Sequence, residues 1–347
     1  MASASEKVFV AGLGVQTPIG HCYQSAGAAV RCGISAHGEH PFMIDQYGEP
    51  IIVAMDREME DSNSALDRVT QLATGAITEA LAPVSAASGL NLPELDSLLA
   101  VGEHLQHEKF AGVGKQLFPS HQNLRLSVVD EGHAGAILGL QYACHQISQG
   151  AVDFFLVVGA DSYLQPDVLE SLDLEGRLHS VNYSWGFTPG EGAGAILLAS
   201  QSAIREYSLD ILAELVSVET TEEEVLLGSE SVCIGQGLSN AFFGALNTSA
   251  PISDIYCDLN GETYRAEEYG FSICRTDQFF DDASRFTAPA EYWGDVGAAS
   301  PVLGIALAIA AWKGEYADGD NALVWSSSAD RPLRGATVIR RAHRGRI

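Results

Sequence analysis

The segment Ala151 to Gly159 reads Ala-Val-Asp-Phe-Phe-Leu-Val-Val-Gly, almost continuously apolar and rich in β-forming side chains. A strand with one wet face alternates polar and apolar residues, whereas an unbroken run implies cover on both faces. The chain supplies helices for that cover. Ser64 to Leu81 places Leu66, Val69, Leu72, Ala73, Ile77, Ala80 and Leu81 at helical spacing, and Ala134 to Ser148 does the same with Ile137, Leu138, Leu140 and Ile147. Further strands are expected at Val8 to Val15, Leu98 to Gly102, Leu124 to Val129, Gly194 to Ala199, Ile211 to Val218, Ile255 to Leu259, Ala322 to Ser326 and Ala336 to Arg341. Further helices are expected at Ile234 to Leu246, Ala266 to Cys274 and Pro301 to Trp312. Strands alternating with helices predict an α/β protein with largely parallel sheets.

Composition narrows the function classes. Of 347 residues, 46% are hydrophobic, enough for a large core, and the formal net charge of -26 opposes general binding to DNA or RNA. The acidity reads as solubility before it reads as a surface for a basic partner. Cys22, Cys32, Cys144, Cys233, Cys257 and Cys274 show no close metal-ligand spacing and fall in segments that read as buried, which suits free thiols in a reducing cytoplasm. Met1 to Lys7 has no apolar region of a signal peptide, and Val302 to Trp312 is too short to span a bilayer, so a cytoplasmic protein without membrane contact is expected.

Three segments go further. Val10-Ala11-Gly12-Leu13-Gly14-Val15-Gln16-Thr17-Pro18-Ile19-Gly20 is a strand running into a glycine turn. Val129-Asp130-Glu131-Gly132-His133-Ala134-Gly135-Ala136 links a strand to a helix. Trp185-Gly186-Phe187-Thr188-Pro189-Gly190-Glu191-Gly192-Ala193-Gly194 is glycine-rich, with Glu191 expected as a structural carboxylate. In this order the three resemble the opening strand, the nucleophile turn and the Asp-Gly-Phe-x-x-Gly-Glu-Gly-Ala-Gly segment of the β-ketoacyl synthases. The resemblance spans nearly the whole chain. It implies an α/β, thiolase-like duplicated αβαβα five-layer fold, with residues 1–205 as the N-terminal half and 206–347 as the C-terminal half.

The resemblance also assigns the positions that should react, and they depart from the family's pattern. The cysteine that carries the acyl chain falls on His133. Imidazole is no stable acyl carrier, because acyl-imidazole hydrolyses readily, and Cys144 lies eleven positions later within a helix. The first family histidine falls on Asn260, in Asp258-Leu259-Asn260-Gly261-Glu262-Thr263; asparagine can donate to an oxyanion but is no base. The second falls on Gly294, or on Asp295 after a one-residue slip, and neither supplies a donor or cation. The family's glycine-rich pocket loop is replaced by Trp325-Ser326-Ser327-Ser328-Ala329-Asp330-Arg331-Pro332.

Other features have plainer readings. His133 with Asp130 and Glu131 offers an acid–base grouping, against the simpler reading of a histidine packed into the vacated cysteine space. His104, His107 and His121, with Glu103 and Glu108, fit no zinc spacing and read as an exposed loop, so neither a metal nor a cofactor is expected. Glu219 to Glu224 reads as a solvated loop or a first helical turn. Among Arg331, Arg334, Arg340, Arg341, Arg344 and Arg346, the pair Arg340 and Arg341 reads as charge on an edge strand. The expected function is that of a catalytically inactive, synthase-like protein that acts by binding. The resemblance implies a homodimer or heterodimer through Leu124 to Val129, with an acyl carrier protein, an active synthase or a secreted effector as partner. Degenerate proteins of this description occur beside type VI secretion effectors, so an adaptor or chaperone that loads effectors is one form. The alternative is a subunit or enzyme of fatty-acid or polyketide metabolism, either a partner like a chain-length factor or a catalyst of residual thioester chemistry.

Overall fold

The computed structural model describes residues 6–59, 64–87, 92, 94–105, 117–246 and 251–343. In chain order these form β1 (Val8–Gln16), α1 (Tyr23–Arg31), β2 (His37–Ile44), β3 (Pro50–Ala54), α2 (Ala65–Ala86), β4 (Leu95–Ala100), β5 (Leu124–Val129), α3 (Gly135–Ser148), β6 (Phe154–Ser162), α4 (Pro166–Leu174), β7 (Glu191–Ser200) and α5 (Gln201–Tyr207). Then follow β8 (Ala213–Glu222), α6 (Gln236–Ala245), β9 (Asp254–Cys257), α7 (Thr263–Thr276), the single turn α8 (Ala290–Trp293), α9 (Ser300–Lys313), β10 (Asn321–Ser327) and β11 (Leu333–Arg341).

Three apolar clusters stack these elements into five layers. On one outer side, α2 sets Val69, Leu72, Ala73 and Ile77 against Phe9, Leu99, Leu156 and Leu197. The opposite face of those strands, with Val10, Leu98, Val157 and Ile196, meets Ala136 and Leu140 of α3 and Val302 and Ile305 of α9. The same two helices reach Leu215, Val324 and Ile339 of the second group of strands. The far face of that group, with Leu323, Trp325, Ala336 and Val338, is covered by Leu238 and Phe242 of α6 and Tyr269 of α7. A helix buried on all sides must be apolar on all sides, and α9 buries every residue from Pro301 to Trp312.

Among the described residues nine of the strands join as one sheet, in the order β5-β4-β6-β7-β1-β8-β11-β10-β9, and β2 pairs antiparallel with β3 in a separate hairpin. The two groups meet only where Val8, Phe9 and Val10 pair with Leu215, Glu214 and Ala213. The expectation of largely parallel sheets is not met. Only β4 with β5, β4 with β6, and β9 with β10 run parallel; the other pairings in this sheet are antiparallel. Alternation of strands and helices fixes neither strand direction nor neighbours. Residues 328–332, for example, are too few to carry a parallel crossover between β10 and β11, which needs a dozen or more.

Two charge readings are corrected. β11 lies between β8 and β10, so Arg340 and Arg341 end an interior strand; Arg340 donates from Nε to Asn321 Oδ1 at 3.0 Å. Glu219 to Glu222 belong to β8, and Glu223 is only 3% exposed. Pairing of β8 with Leu333–Arg341 supplies a ladder that overrides the weak strand preference of glutamate. The cysteines are also less buried than expected, since Cys32 and Cys274 are exposed and Cys257 alone is fully buried. Among the described residues no helix is long and apolar enough to cross a membrane.

Candidate functional site

His133 lies in one 3-10 turn, Gly132–Ala134, between β5 and α3. Gly132 has φ 62°, a conformation that favours glycine, and the turn directs the imidazole inward until it is 2% exposed. The other wall comes from α8 and the residue after it. Gly294 caps α8 with φ 73°, and a Cβ there would stand 2.9 Å from the Thr188 carbonyl. Gly294 is therefore a backbone pivot, and Asp295 brings the side chain. The Asp295 N–H donates to Thr188 O and its carbonyl accepts from Gly190 N, both at 2.8 Å, which anchors it to the glycine-rich segment before β7.

Asp295 gathers the site. Its carboxylate lies 2.8 and 3.0 Å from His133 Nε2, accepts from Asn260 Nδ2 at 2.7 Å, and accepts from the Gly297 N–H at 2.8 Å. Arg265, fully buried in α7, places Nη2 3.3 Å from His133 Nδ1 and 3.1 Å from Nε2. Its Nη1 donates to Asp258 Oδ2 at 2.8 Å and to Ser327 O at 2.6 Å. Glu262 accepts from Asn260 Nδ2 at 3.0 Å and from Arg177 Nε at 2.8 Å. Ser328 of the loop after β10 closes the far side, accepting from Ala134 N at 3.1 Å and donating to Glu131 O.

The electrostatics follow from burial with compensation. Burial and the nearby Arg265 guanidinium both pull His133 down, but the Asp295 carboxylate overcomes them and holds the imidazole above its ordinary value. Burial alone would raise Asp295; His133, Arg265 and the Gly297 N–H instead hold it well below the usual carboxylate range. Carboxylates of Asp258, Glu262 and Asp295 thus face Arg177, Arg265 and His133 in a nearly balanced cluster. The cavity bordered by Asp258, Gly294 and Asp295 is about 10 Å³, room for one water at most.

This arrangement offers no thiolate. Burial pushes Cys144 up to about 12 and drives Cys257 up further in the same direction, so both stay protonated at neutral pH. Nor does it offer a free base: His133 Nε2 lies against the Asp295 carboxylate, Arg265 Nη2 is within 3.3 Å of both ring nitrogens, and the ring is 2% exposed, so the imidazole is engaged within the cluster.

Of the residues singled out in the sequence, the structure brings His133, Asn260 and Asp295 together and uses Gly294 for its backbone. The grouping of His133 with Asp130 and Glu131 is replaced by Asp295 and Arg265; Asp130 meets Arg331 Nη2 at 3.3 Å. His104 is not in an exposed loop. It is partly buried, with Nε2 3.2 Å from Asp161 Oδ1 and 3.1 Å from Ser162 O. His121 lies 3.0 Å from Thr78 Oγ1, whereas His107 and Glu108 fall outside the described residues. Glu191 is a structural carboxylate, as expected, bound by Arg68 from Nε at 2.7 Å and from Nη2. Sequence reasoning missed Arg265, Asp258, Glu262 and Arg177. The one available signal was Arg265 three positions after Glu262 at the start of an amphipathic helix.

Residues 128–203 match the family model described as the β-ketoacyl synthase N-terminal domain. No curated protein sequence matches the chain. Among solved structures, the chain is similar to the ishigamide ketosynthase/chain length factor, with TM-score 0.78 and 19% identity over 98% of this chain and all of that one. It is also similar to AntDE:AntF, a type II polyketide synthase acyl-carrier protein in complex with its ketosynthase bound to the hexaketide, with TM-score 0.77 and 14% identity over 98% of this chain and 100% of that one. A β-ketoacyl synthase from Burkholderia phymatum STM815 gives TM-score 0.72 and 15% identity over 97% and 100%. The protein therefore has the thiolase-like fold of the ketosynthases, and the stretch from the end of β5 through β7 carries the sequence pattern of a β-ketoacyl synthase N-terminal domain.

Proposed function

We propose that this protein is a catalytically inactive, synthase-like binding subunit with halves at 1–205 and 206–347. One observation carries the reading: at the position that the resemblance gives to the acyl-bearing cysteine, His133 is buried and bonded to Asp295 and Arg265. A thioester needs an exposed sulfur nucleophile, and decarboxylation needs donors free to meet an enolate. Here Asn260 Nδ2 already donates to Asp295 and Glu262, and Arg265 Nη1 already donates to Asp258 and Ser327 O.

The surface that suits binding is β5. Among the described residues it ends the sheet and pairs only with β4, and Arg125 and Ser127 on it are exposed. A second strand can add there through backbone hydrogen bonds, in a homodimer or a heterodimer. The preferred partner is a secreted effector, with this protein as its adaptor or loading chaperone in type VI secretion. The Ser-rich loop, tied down by Ser328 where the family keeps its glycine-rich pocket loop, supports a role without acyl traffic. A second reading, a subunit that pairs with an active synthase or binds an acyl carrier protein, is favoured by neighbours described as a ketosynthase/chain length factor and as a carrier-protein complex.

The deciding experiment incubates the protein with malonyl- and acyl-thioesters of a carrier protein and follows thioester loss and protein mass. No adduct and no turnover are expected. Turnover abolished by His133→Ala or Asn260→Ala would overturn the inactive reading. Affinity capture from the native host then separates the two partner readings: a toxin-like or secretion protein supports the adaptor, and an active synthase or carrier protein supports the metabolic subunit.

A further inference from the structure

A second group of buried polar side chains lies on the outer side of the C-terminal strands. A carboxylate oxygen of Glu223, one of Glu268 and the Cys233 Sγ all lie within 4.8 Å of one another. Three separate elements bring them there: the residue after β8, the loop before α6, and the middle of α7. Their hydrogen bonds leave capacity unused. Glu223 Oε2 accepts from the Gly237 N–H in the first turn of α6 at 2.7 Å, while Oε1 has only a long contact of 3.4 Å from Val225 N. Glu268 Oε1 accepts from Arg334 Nε at 2.6 Å. Among the described residues Glu268 Oε2 is buried with no hydrogen-bond partner, on a side chain only 1% exposed.

Among the described residues the two buried carboxylates have one directly bonded guanidinium, that of Arg334, with Arg265 further off, which concentrates negative charge in a poorly solvated place. An oxygen lone pair buried without a donor is costly, and a cation is the usual remedy. We propose that Glu223, Cys233 and Glu268 bind a divalent transition-metal ion of the Zn²⁺ class. Two carboxylate oxygens and one thiolate are a borderline-soft donor set that suits such an ion over Ca²⁺ or Mg²⁺, which take oxygen alone. Cys233 is only half-buried, so a water has access to the fourth position. Binding displaces the thiol proton to solvent and ties the loop before α6 to α7. Arg334, which holds Glu268, also donates to Ser328 O at 2.8 Å, so the site adjoins the loop that closes over His133.

The test uses the full chain, stripped with EDTA and moved into metal-free buffer, then titrated with Zn²⁺ by calorimetry and with Co²⁺ by absorbance. One equivalent and a thiolate-to-cobalt charge-transfer band are expected. Cys233→Ser should abolish the band, and Glu223→Gln should weaken Zn²⁺ binding at least about tenfold. Zn²⁺ should also shield Cys233 of the unaltered chain from iodoacetamide while the exposed Cys32 and Cys274 stay reactive. That footprint needs no variant, and circular dichroism establishes that each variant folds. Absence of Zn²⁺ binding, binding that survives both substitutions unchanged, or Cys233 alkylated equally fast with and without Zn²⁺ would each overturn the proposal. None of these outcomes bears on whether the protein turns over thioesters.

Discussion

Replacing Asp295 by alanine removes the acceptor on which the buried cluster is centred. The substitution strips partners from His133 Nε2, Asn260 Nδ2 and the Gly297 N–H at once, and leaves Arg265, 0% exposed, with less compensating charge. Breaking a buried ion pair from one side costs about 3–5 kcal/mol, because the remaining charge stays desolvated. For 347 residues, an unfolding entropy of about 2.1 cal/mol/K each converts that cost into a fall in Tm of about 4–7 °C at pH 7. Scanning calorimetry of wild type, Asp295→Ala and Asp295→Asn measures it, with the isosteric amide expected between the other two. The pH dependence provides a second readout. The Asp295 carboxyl is depressed in the folded state, so its contribution is present above the unfolded value of about 3.9 and is lost as pH falls through the folded one. The gap between wild type and Asp295→Ala should therefore narrow as the solution is acidified below about pH 4. A gap under about 1 kcal/mol at pH 7, or one that widens on acidification, would refute the claim that this carboxylate holds the cluster together.

The structure leads to three further outcomes. Arg68→Met should cost about 3–5 kcal/mol by denaturant titration, because it strands the fully buried Glu191; a loss below about 1 kcal/mol would contradict the ion-pair account. Gly294→Ala should destabilise more than Gly33→Ala, since both have positive φ but only the Gly294 Cβ would meet backbone, at 2.9 Å; the control carries the left-handed strain alone, about 1–2 kcal/mol. Equal stability of the two would refute the steric argument. Under limiting iodoacetamide, peptide mass spectrometry should find Cys32 and Cys274 modified first and Cys257 last, because burial both hides the Cys257 thiol and raises it.

Much of the layering was legible because it is periodic. The all-apolar run of α9 announced a buried helix, and the run around β6 announced a strand with cover on both faces, here α2 and the central pair of helices. The hairpin of β2 and β3 gave no comparable signal, since its first strand is mostly exposed and carries no apolar alternation. The candidate site was legible as positions and not as an arrangement. His133, Asn260 and the choice between Gly294 and Asp295 came from motif register. The residues that neutralise them gave only the faint signal of a charged pair at a helix start.

The amino-acid order by itself settled which segments are strands and helices near the core, and which position the resemblance gives to the family's nucleophile, because both are properties of short stretches of chain. Strand direction, the interior place of β11 and the partners of His133 were decided only in three dimensions. Asp295 lies 162 positions from His133 and Arg265 lies 132 away, so no local pattern records their meeting. Burial then does the rest: taken out of water, each charge has to be met by another, and the fold determines which.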